Sequence, residues 1–254
     1  MRRGSPIRVM IYALKRKLSY WKQILSLQSP RSRQALNNIY LVMPDILDTN
    51  SSDFENTTQV RNWVNENSIH LIDKEHDSYA FDLSKVVIKV WQYFQVKERP
   101  PHLSCGPRAY LLRQLLEQLG YSCRVIDIFE IVAGEPRSHT LVEYYDTCLN
   151  KWVMQDPDFN ACYLDKNTEL PLGAAEALEY AKSDIIAGGG QFENKVNLDG
   201  TIDDYFFAVV VYRYSYVGEK AIMVFSHTCD VYCVENGMAI DAFCKYLQER
   251  YDVS

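Results

Sequence analysis

Apolar residues recur at helical period in the first half of the chain and at strand period in the second, and this alternation predicts the elements. Val60, Trp63 and Val64 share one face of a short helix that starts at Thr57, whose hydroxyl suits a cap, after a loop over residues 49–56. The stretch from His70 to Ser78 reads as irregular. Asp82 then caps a helix in which Leu83, Val86, Val87, Val90, Trp91 and Phe94 fall at steps of three and four until Pro100 and Pro101 stop it. After Leu103-Ser104-Cys105-Gly106-Pro107, a third helix places Ala109, Leu112, Leu116 and Leu119 on one face and ends at Gly120, a residue suited to a left-handed cap. Pro107 fits the first turn, where a missing amide costs nothing because it has no acceptor inside the helix. Cys105 therefore sits at or just before a helix N-terminus.

From Tyr121 the period changes to that of strands. YSCRVIDIFEIV is rich in branched residues, and HTLVEYY (His139 to Tyr145) and KWVMQD (Lys151 to Asp156) follow, separated by a turn over residues 146–150. A hairpin about that turn, pairing residues whose numbers sum to 295, sets Tyr145 opposite Asn150 and His139 opposite Asp156 on one sheet face. Opposed side chains in such a pair have Cβ atoms about 4.5–5.5 Å apart, within reach of an imidazole–carboxylate hydrogen bond. A slip of one residue would turn the partner to the other face. Further on, the sequence predicts a helix from Pro171 to Lys182, a flexible connector at Gly188-Gly189-Gly190 and a second hairpin from YFFAVVVYRY and KAIMVF about residues 215–219. It ends with a helix from Met238 to Arg250. The hairpin strands are expected at the edge of the central antiparallel sheet, which makes the fold class α+β.

Charge divides the chain differently. Residues 1–44 hold nine of the 27 Lys and Arg and no acidic residue, which leaves 18 basic against 33 acidic groups, a net of −15, in the other 210 of the 254 residues. Such a body repels phosphate backbones, so no nucleic-acid partner is expected. The arm itself, with Val9, Tyr12, Ala13, Leu18, Trp21, Ile24 and Leu25 spaced among lysines and arginines, reads as a basic amphipathic helix. Residues 1–33 are thus a candidate contact for a partner protein or the periphery of an anionic membrane. The longest uncharged apolar run, Tyr205 to Tyr212, falls far short of the roughly 18–20 residues that span a bilayer. The N-terminal apolar stretch is also too short for a secretory signal, so a cytoplasmic location is expected. Seven cysteines without the close spacing of a secreted scaffold favour reduced thiols.

Taken in order, Cys105 opening an apolar helix, Leu119-Gly120-Tyr121, Arg124-Val125, His139 with Val142 and Glu143, Trp152, and Asp156-Pro157 resemble the transglutaminase-like superfamily of papain-fold cysteine enzymes. The resemblance covers roughly residues 57–182. It implies a papain-like, transglutaminase-like core, with a helical N-terminal layer packed on an antiparallel sheet. Residues 1–50 would then be a basic arm, and 51–254 one domain extended from about residue 190 by the hairpin and helix.

The same resemblance makes Cys105 the nucleophile, His139 the base and then the acid, and Asp156 the group that orients the imidazole, with Trp152 and Pro157 in support and no cofactor or metal. General chemistry agrees with these roles. The thiolate is the nucleophile, and helix N-termini and nearby imidazolium groups bring cysteines from about 8.5 down to about 3.5–7.5. A tetrahedral intermediate also needs donors for its oxyanion. The Cys105 amide is one candidate; Gln92, Tyr93, Gln95 and His102 all remain open for the second.

The expected chemistry is hydrolysis of, or acyl transfer from, a peptide, protein or small amide or ester, through a thioester on Cys105. The alternative is a non-catalytic adaptor that keeps the fold and docks through its basic arm. His227, Cys229 and Cys233 form an H-x-C-x₃-C pattern with no fourth ligand nearby, and read as core residues rather than a zinc site.

Overall fold

The computed structural model describes residues 29–42, 51–80, 82–132, 135–177, 184–189, 192–197, 208–213, 220–226 and 232–233. Helices α1 (Pro30–Val42), α2 (Asp53–Glu66), α4 (Leu83–Val96) and α5 (Cys105–Gln118) form a layer against an antiparallel sheet. The fold is mixed α+β. A short helix α3 (Lys74–Tyr79) and the parallel pair β1 (Ile69–His70) and β2 (His102–Leu103) lie between α2 and α5 in the chain. The main sheet contains β3 (Cys123–Val132), β4 (Glu135–Asp146), β5 (Lys151–Gln155), β9 (Ala208–Arg213), β10 (Lys220–Ser226) and β11 (Tyr232–Cys233). Its spatial order is β11-β10-β9-β3-β4-β5. A second sheet joins β6 (Cys162–Asp165), β7 (Ile185–Gly189) and β8 (Phe192–Asn197).

The apolar stripes meet where their spacing directs them. Val60, Trp63 and Val64 of α2, Val86, Val87 and Val90 of α4, and Leu111, Leu112, Leu115 and Leu116 of α5 pack with Val142, Tyr144 and Val153 of the sheet, all of them buried. Asp82 caps α4, its carboxylate accepting from the Lys85 amide, and Gly120 takes the left-handed conformation (φ 97°) after α5.

Several boundaries differ from those read in the sequence. Helix α2 begins at Asp53, not Thr57, because Ser52 and Glu55 form a reciprocal capping box in the stretch read as a loop. The segment read as irregular contains α3, capped by Asp73. Helix α4 stops at Lys97 (φ 55°), ahead of the prolines. Gly188 and Gly189 belong to β7 rather than to a connector, and a Cβ at Gly188 would lie 3.2 Å from the Leu164 side chain of the neighbouring strand. Of the helix expected over 171–182, the described part is the single turn α6 (Ala174–Ala177), since Pro171 bridges to Leu164 instead. Strands β9 and β10 pair antiparallel, and β9 joins β3. The amphipathic stretch over 9–25, the turn at 215–219, His227, Cys229 and the helix over 238–250 lie outside the described residues. No described helix is long and apolar enough to cross a membrane.

The hairpin register also differs. Asp146 pairs with Lys151, and its Oδ1 accepts from the amides of Cys148 (3.0 Å) and Leu149 (2.9 Å), while Asn150 adopts φ 53°. This side-chain-stabilised turn leaves four residues between the strands, so pairs sum to 297: Tyr145 faces Trp152 and Val142 faces Gln155. A two-residue slip preserves which face each side chain occupies. Continuing the ladder would put Leu141, not His139, opposite Asp156, and His139 reaches Asp156 along the diagonal.

Candidate active site

Cys105 is the first residue of α5 and is half-buried. Ser104 occupies the cap position but makes no side-chain cap; its Oγ lies 3.0 Å from Nε2 of the buried His76, whose Nδ1 faces Asp77. Pro107 adds no amide to the first turn. The opening amides of α5 therefore lack the usual hydroxyl cap.

His139 on β4 is buried, with its ring tilted against Phe159 at 4.6 Å between centroids. Its Nε2 lies 2.7 Å from Asp156 Oδ2. With that nitrogen committed, Nδ1 is the one left to face the thiol, and Cys105 Sγ lies within 4.8 Å of a His139 ring nitrogen.

Asp156 follows β5 directly. It closes a tight loop by exchanging backbone hydrogen bonds with Ala161 at 2.8 and 2.9 Å, and Pro157 stiffens the bend. The loop turns the next two amides back onto the carboxylate, so Asp158 and Phe159 donate to Oδ1 at 3.0 and 3.1 Å. The Tyr163 hydroxyl donates to Oδ2 at 2.7 Å. With His139, these donors fill the roughly four acceptor sites of a carboxylate.

Burial opposes both charges of the pair. For His139, burial pulls the imidazole down, but the facing Asp156 carboxylate and the neighbouring Cys105 outweigh it, and the group sits well above its ordinary value. For Asp156, burial pushes up, while His139 and the Tyr163 hydroxyl pull down further, so its value falls below the ordinary one. An ion pair is the favoured state of these two groups.

A second carboxylate lies beside the same two side chains. Asp158 has an oxygen within 4.8 Å of both the Cys105 sulfur and a His139 nitrogen. Arg108, one turn along α5 from Cys105, donates to Asp158 Oδ1 at 3.1 Å, to its carbonyl at 3.0 Å and to the Ser68 carbonyl at 2.9 Å. His70 Nδ1 lies 2.8 Å from both Asp158 carboxylate oxygens, and its side chain is 51% exposed. From α2, fully buried Arg61 holds Gln155 (2.7 Å) and Asn160 (3.1 Å), and Asn65 donates to the carbonyls of Pro157 and Asp158. Side chains of two helices thus brace the loop that presents both carboxylates.

The structure brings together Cys105, His139, Asp156 and Pro157 and disperses other candidates. Gln92 and Gln95 line a cleft between α1 and α4 with Arg31, Gln34 and Asn38, and the Tyr93 ring lies under Lys97 Nζ at 4.9 Å. His102 stays near, three residues before Cys105, but its Nδ1 is held 3.0 Å from Asp73 and its amide donates to the Tyr79 hydroxyl. Trp152 faces Tyr145, six residues or roughly 20 Å of strand from His139. There it carries the Arg124 guanidinium 4.0 Å from its ring and supports the turn end of the hairpin. Arg61, Arg108, Asp158, Tyr163, His70 and His76 were not legible as site residues. The available signals were weak: Arg108 at helical spacing from Cys105 and a second Asp in Asp156-Pro157-Asp158.

No family model matches the chain, and no curated protein matches it. Among solved structures it is similar to a candidate cysteine protease from Cytophaga hutchinsonii at 13% identity and a TM-score of 0.37. That match covers 66% of this chain and about half (51%) of the other. Similarity to the NAT3 arylamine N-acetyltransferase of Bacillus cereus, a protein with a Cys-His-Glu catalytic triad, has 7% identity and a TM-score of 0.39 over 79% and 93% of the two chains. For arylamine N-acetyltransferase C of Bacillus anthracis the values are 9%, 0.36, 86% and 98%.

Proposed function

We propose that this chain is a cysteine-dependent enzyme that cleaves an amide or ester, or transfers its acyl group, through a thioester on Cys105. One observation carries the reading: the His139 ring has the Cys105 sulfur within 4.8 Å and the Asp156 carboxylate at 2.7 Å from Nε2.

In this mechanism the Cys105 proton rests on His139 Nδ1, leaving a thiolate, and the Asp156 carboxylate behind the ring stabilises the imidazolium. The thiolate attacks the substrate carbonyl carbon, and the C=O electron pair moves onto oxygen. In this reading the Cys105 amide donates to that oxyanion, a contribution worth about 10²- to 10³-fold where such donors have been removed. When the tetrahedral adduct collapses, the bond to the leaving amine or alcohol breaks and His139 returns its proton to that group. Water or an acceptor amine then attacks the thioester, His139 takes its proton, and the thiolate leaves. The substrate is a peptide, a protein or a small amide or ester.

Alkylation tests the first step. At about pH 6, below the ordinary thiol value of about 8.5, iodoacetamide reacts with whichever cysteine is held as thiolate. Peptide mass spectrometry should find Cys105 modified far faster than exposed Cys148 or buried Cys162, with the difference abolished in His139→Ala. A half-buried Cys105 that reacts no faster than Cys148 would overturn the enzyme reading and leave a scaffold.

A further inference from the structure

Asp158 gives the site a third group that the proposed acyl chemistry does not use. Its carboxylate oxygen, the Cys105 sulfur and a His139 nitrogen all lie within 4.8 Å of one another. In a tetrahedral zinc site, bonds of about 2.3 Å to sulfur and about 2.0–2.2 Å to nitrogen and oxygen hold the ligand atoms roughly 3.3–3.6 Å apart. The three donors therefore need to close by about 1.5 Å at most, a side-chain movement.

The geometry points to a divalent transition-metal site of the zinc class, formed by Cys105 Sγ, His139 Nδ1 and Asp158, that withdraws the thiol from chemistry when filled. Thiolate, imidazole and carboxylate together suit Zn²⁺ and its spectroscopic surrogate Co²⁺, and discriminate against Mg²⁺ and Ca²⁺, which take oxygen ligands. Outer partners are already in place. His139 presents its far nitrogen to Asp156, the carboxylate–histidine arrangement that fixes the tautomer of a metal ligand, while Arg108 and His70 orient Asp158. Cys105 is the half-buried member of the three, and three protein ligands leave the fourth position to water. On binding, the proton held between the Cys105 sulfur and His139 Nδ1 passes to solvent, so that thiolate, neutral imidazole nitrogen and carboxylate oxygen each donate an electron pair to the ion, and no electron is transferred.

The test is titration of the full-length reduced protein with Co²⁺, which does not depend on turnover. The expected result is one equivalent bound, with a near-ultraviolet sulfur-to-cobalt charge-transfer band and visible bands of tetrahedral intensity. The Cys105→Ser variant should lose the charge-transfer band, Cys148→Ser should keep it, and Asp158→Asn should weaken binding at least about 10-fold. A readout on the unaltered protein accompanies these: one equivalent of Zn²⁺ should protect Cys105 from iodoacetamide, read by peptide mass spectrometry at a pH where it is otherwise modified. Absence of the band in the unaltered protein, its survival in Cys105→Ser, unchanged affinity in Asp158→Asn or lack of zinc protection would each overturn the site. A cobalt band with an unreactive metal-free Cys105 would keep the metal site and discard the enzyme reading; a reactive Cys105 with no band would do the reverse.

Discussion

Two buried clusters sit side by side in this chain and are built on opposite principles. Between α2, α4, α5 and the sheet lies an apolar core of valines, leucines and Trp63; beneath the loop over residues 156–163 lies a cluster of two arginines, two aspartates, a histidine and a tyrosine, all largely buried. The apolar core gains about 1.5–3 kcal/mol for each large side chain it removes from water and demands only volume and shape. The polar cluster starts from a desolvation cost on every charge, and that cost is offset only while each group keeps its partners. One cluster tolerates exchange; the other specifies a single arrangement. That difference fits the position of Cys105, His139 and Asp156 on the polar side, where Arg61, Asn65 and Arg108 reach from helices to fix the loop.

The sharpest way to break this comparison is to empty the centre of the polar cluster. Asp156→Ala leaves the His139 ring, the Tyr163 hydroxyl and the amides of Asp158 and Phe159 without their acceptor. The expected loss is about 3–5 kcal/mol in urea unfolding, together with the selective alkylation of Cys105. Leu115→Ala, in the middle of the apolar core, should cost about 2–5 kcal/mol. Its folded fraction should still alkylate Cys105 first. Loss of that selectivity in folded Leu115→Ala would show that the two clusters are not separable.

The same contrast governs how much was readable beforehand. Period and spacing gave Val60, Trp63, Val86, Val90, Leu112 and Leu116 as core, because burial of an apolar stripe is encoded locally. Cys105, His139 and Asp156 were readable through their order and through the helix, strand and turn that carry them. The register sum of 295 was off by two, yet the shared face survived, because strand side chains alternate with period two. Arg61, Arg108 and Tyr163 were not legible. Nothing local distinguishes a buried arginine from a surface one; its burial depends on acceptors such as Gln155 and Asn160, more than ninety residues away. The strand β7 was hidden for a related reason: a glycine run is read as loose unless its close contact with Leu164 is visible.

A smaller perturbation keeps the carboxylate and removes one donor. Tyr163→Phe deletes a 2.7 Å hydrogen bond to a charged group, worth about 1.5–3 kcal/mol. The pH dependence sharpens this. Asp156 has a lowered value in the folded protein, so its contribution is fully present above the unfolded value of about 3.9 and is lost as pH falls through the lower folded value. His139 is raised, so its contribution is fully present below about 6.5 and lost as pH climbs through the higher folded value. The pair therefore stabilises most between about pH 4 and 6.5. Tyr163→Phe should shift the acid unfolding midpoint upward and, because it also removes a phenol that burial and Asp156 hold well above its ordinary value, should lessen the loss of stability above about pH 10; an unchanged acid midpoint would contradict this division.

The smallest expected effect lies at the far end of α2, where sequence and structure disagree about the helix start. If the helix began at Thr57, Thr57 would be its cap and Ser52 a loop residue of no consequence. In the structure Ser52 Oγ accepts from the Glu55 amide at 3.2 Å, and Glu55 Oε2 accepts from the Ser52 amide at 2.8 Å. Thr57 lies inside the helix; its hydroxyl donates to the Phe54 carbonyl at 3.2 Å and accepts from Gln155 at 3.2 Å. Ser52→Ala should thus cost about 1 kcal/mol with an unchanged urea slope, as loss of a cap does. It should leave Cys105 reactivity untouched, because the cap acts on the apolar helix layer. Thr57→Val, which keeps the volume, removes an acceptor from Gln155 and through it disturbs Arg61; its effect should therefore register in the Cys105 alkylation rate as well as in stability. A Ser52→Ala variant that slowed alkylation would mean that α2 transmits its end conditions to the Cys105 site, and that the two clusters respond as one.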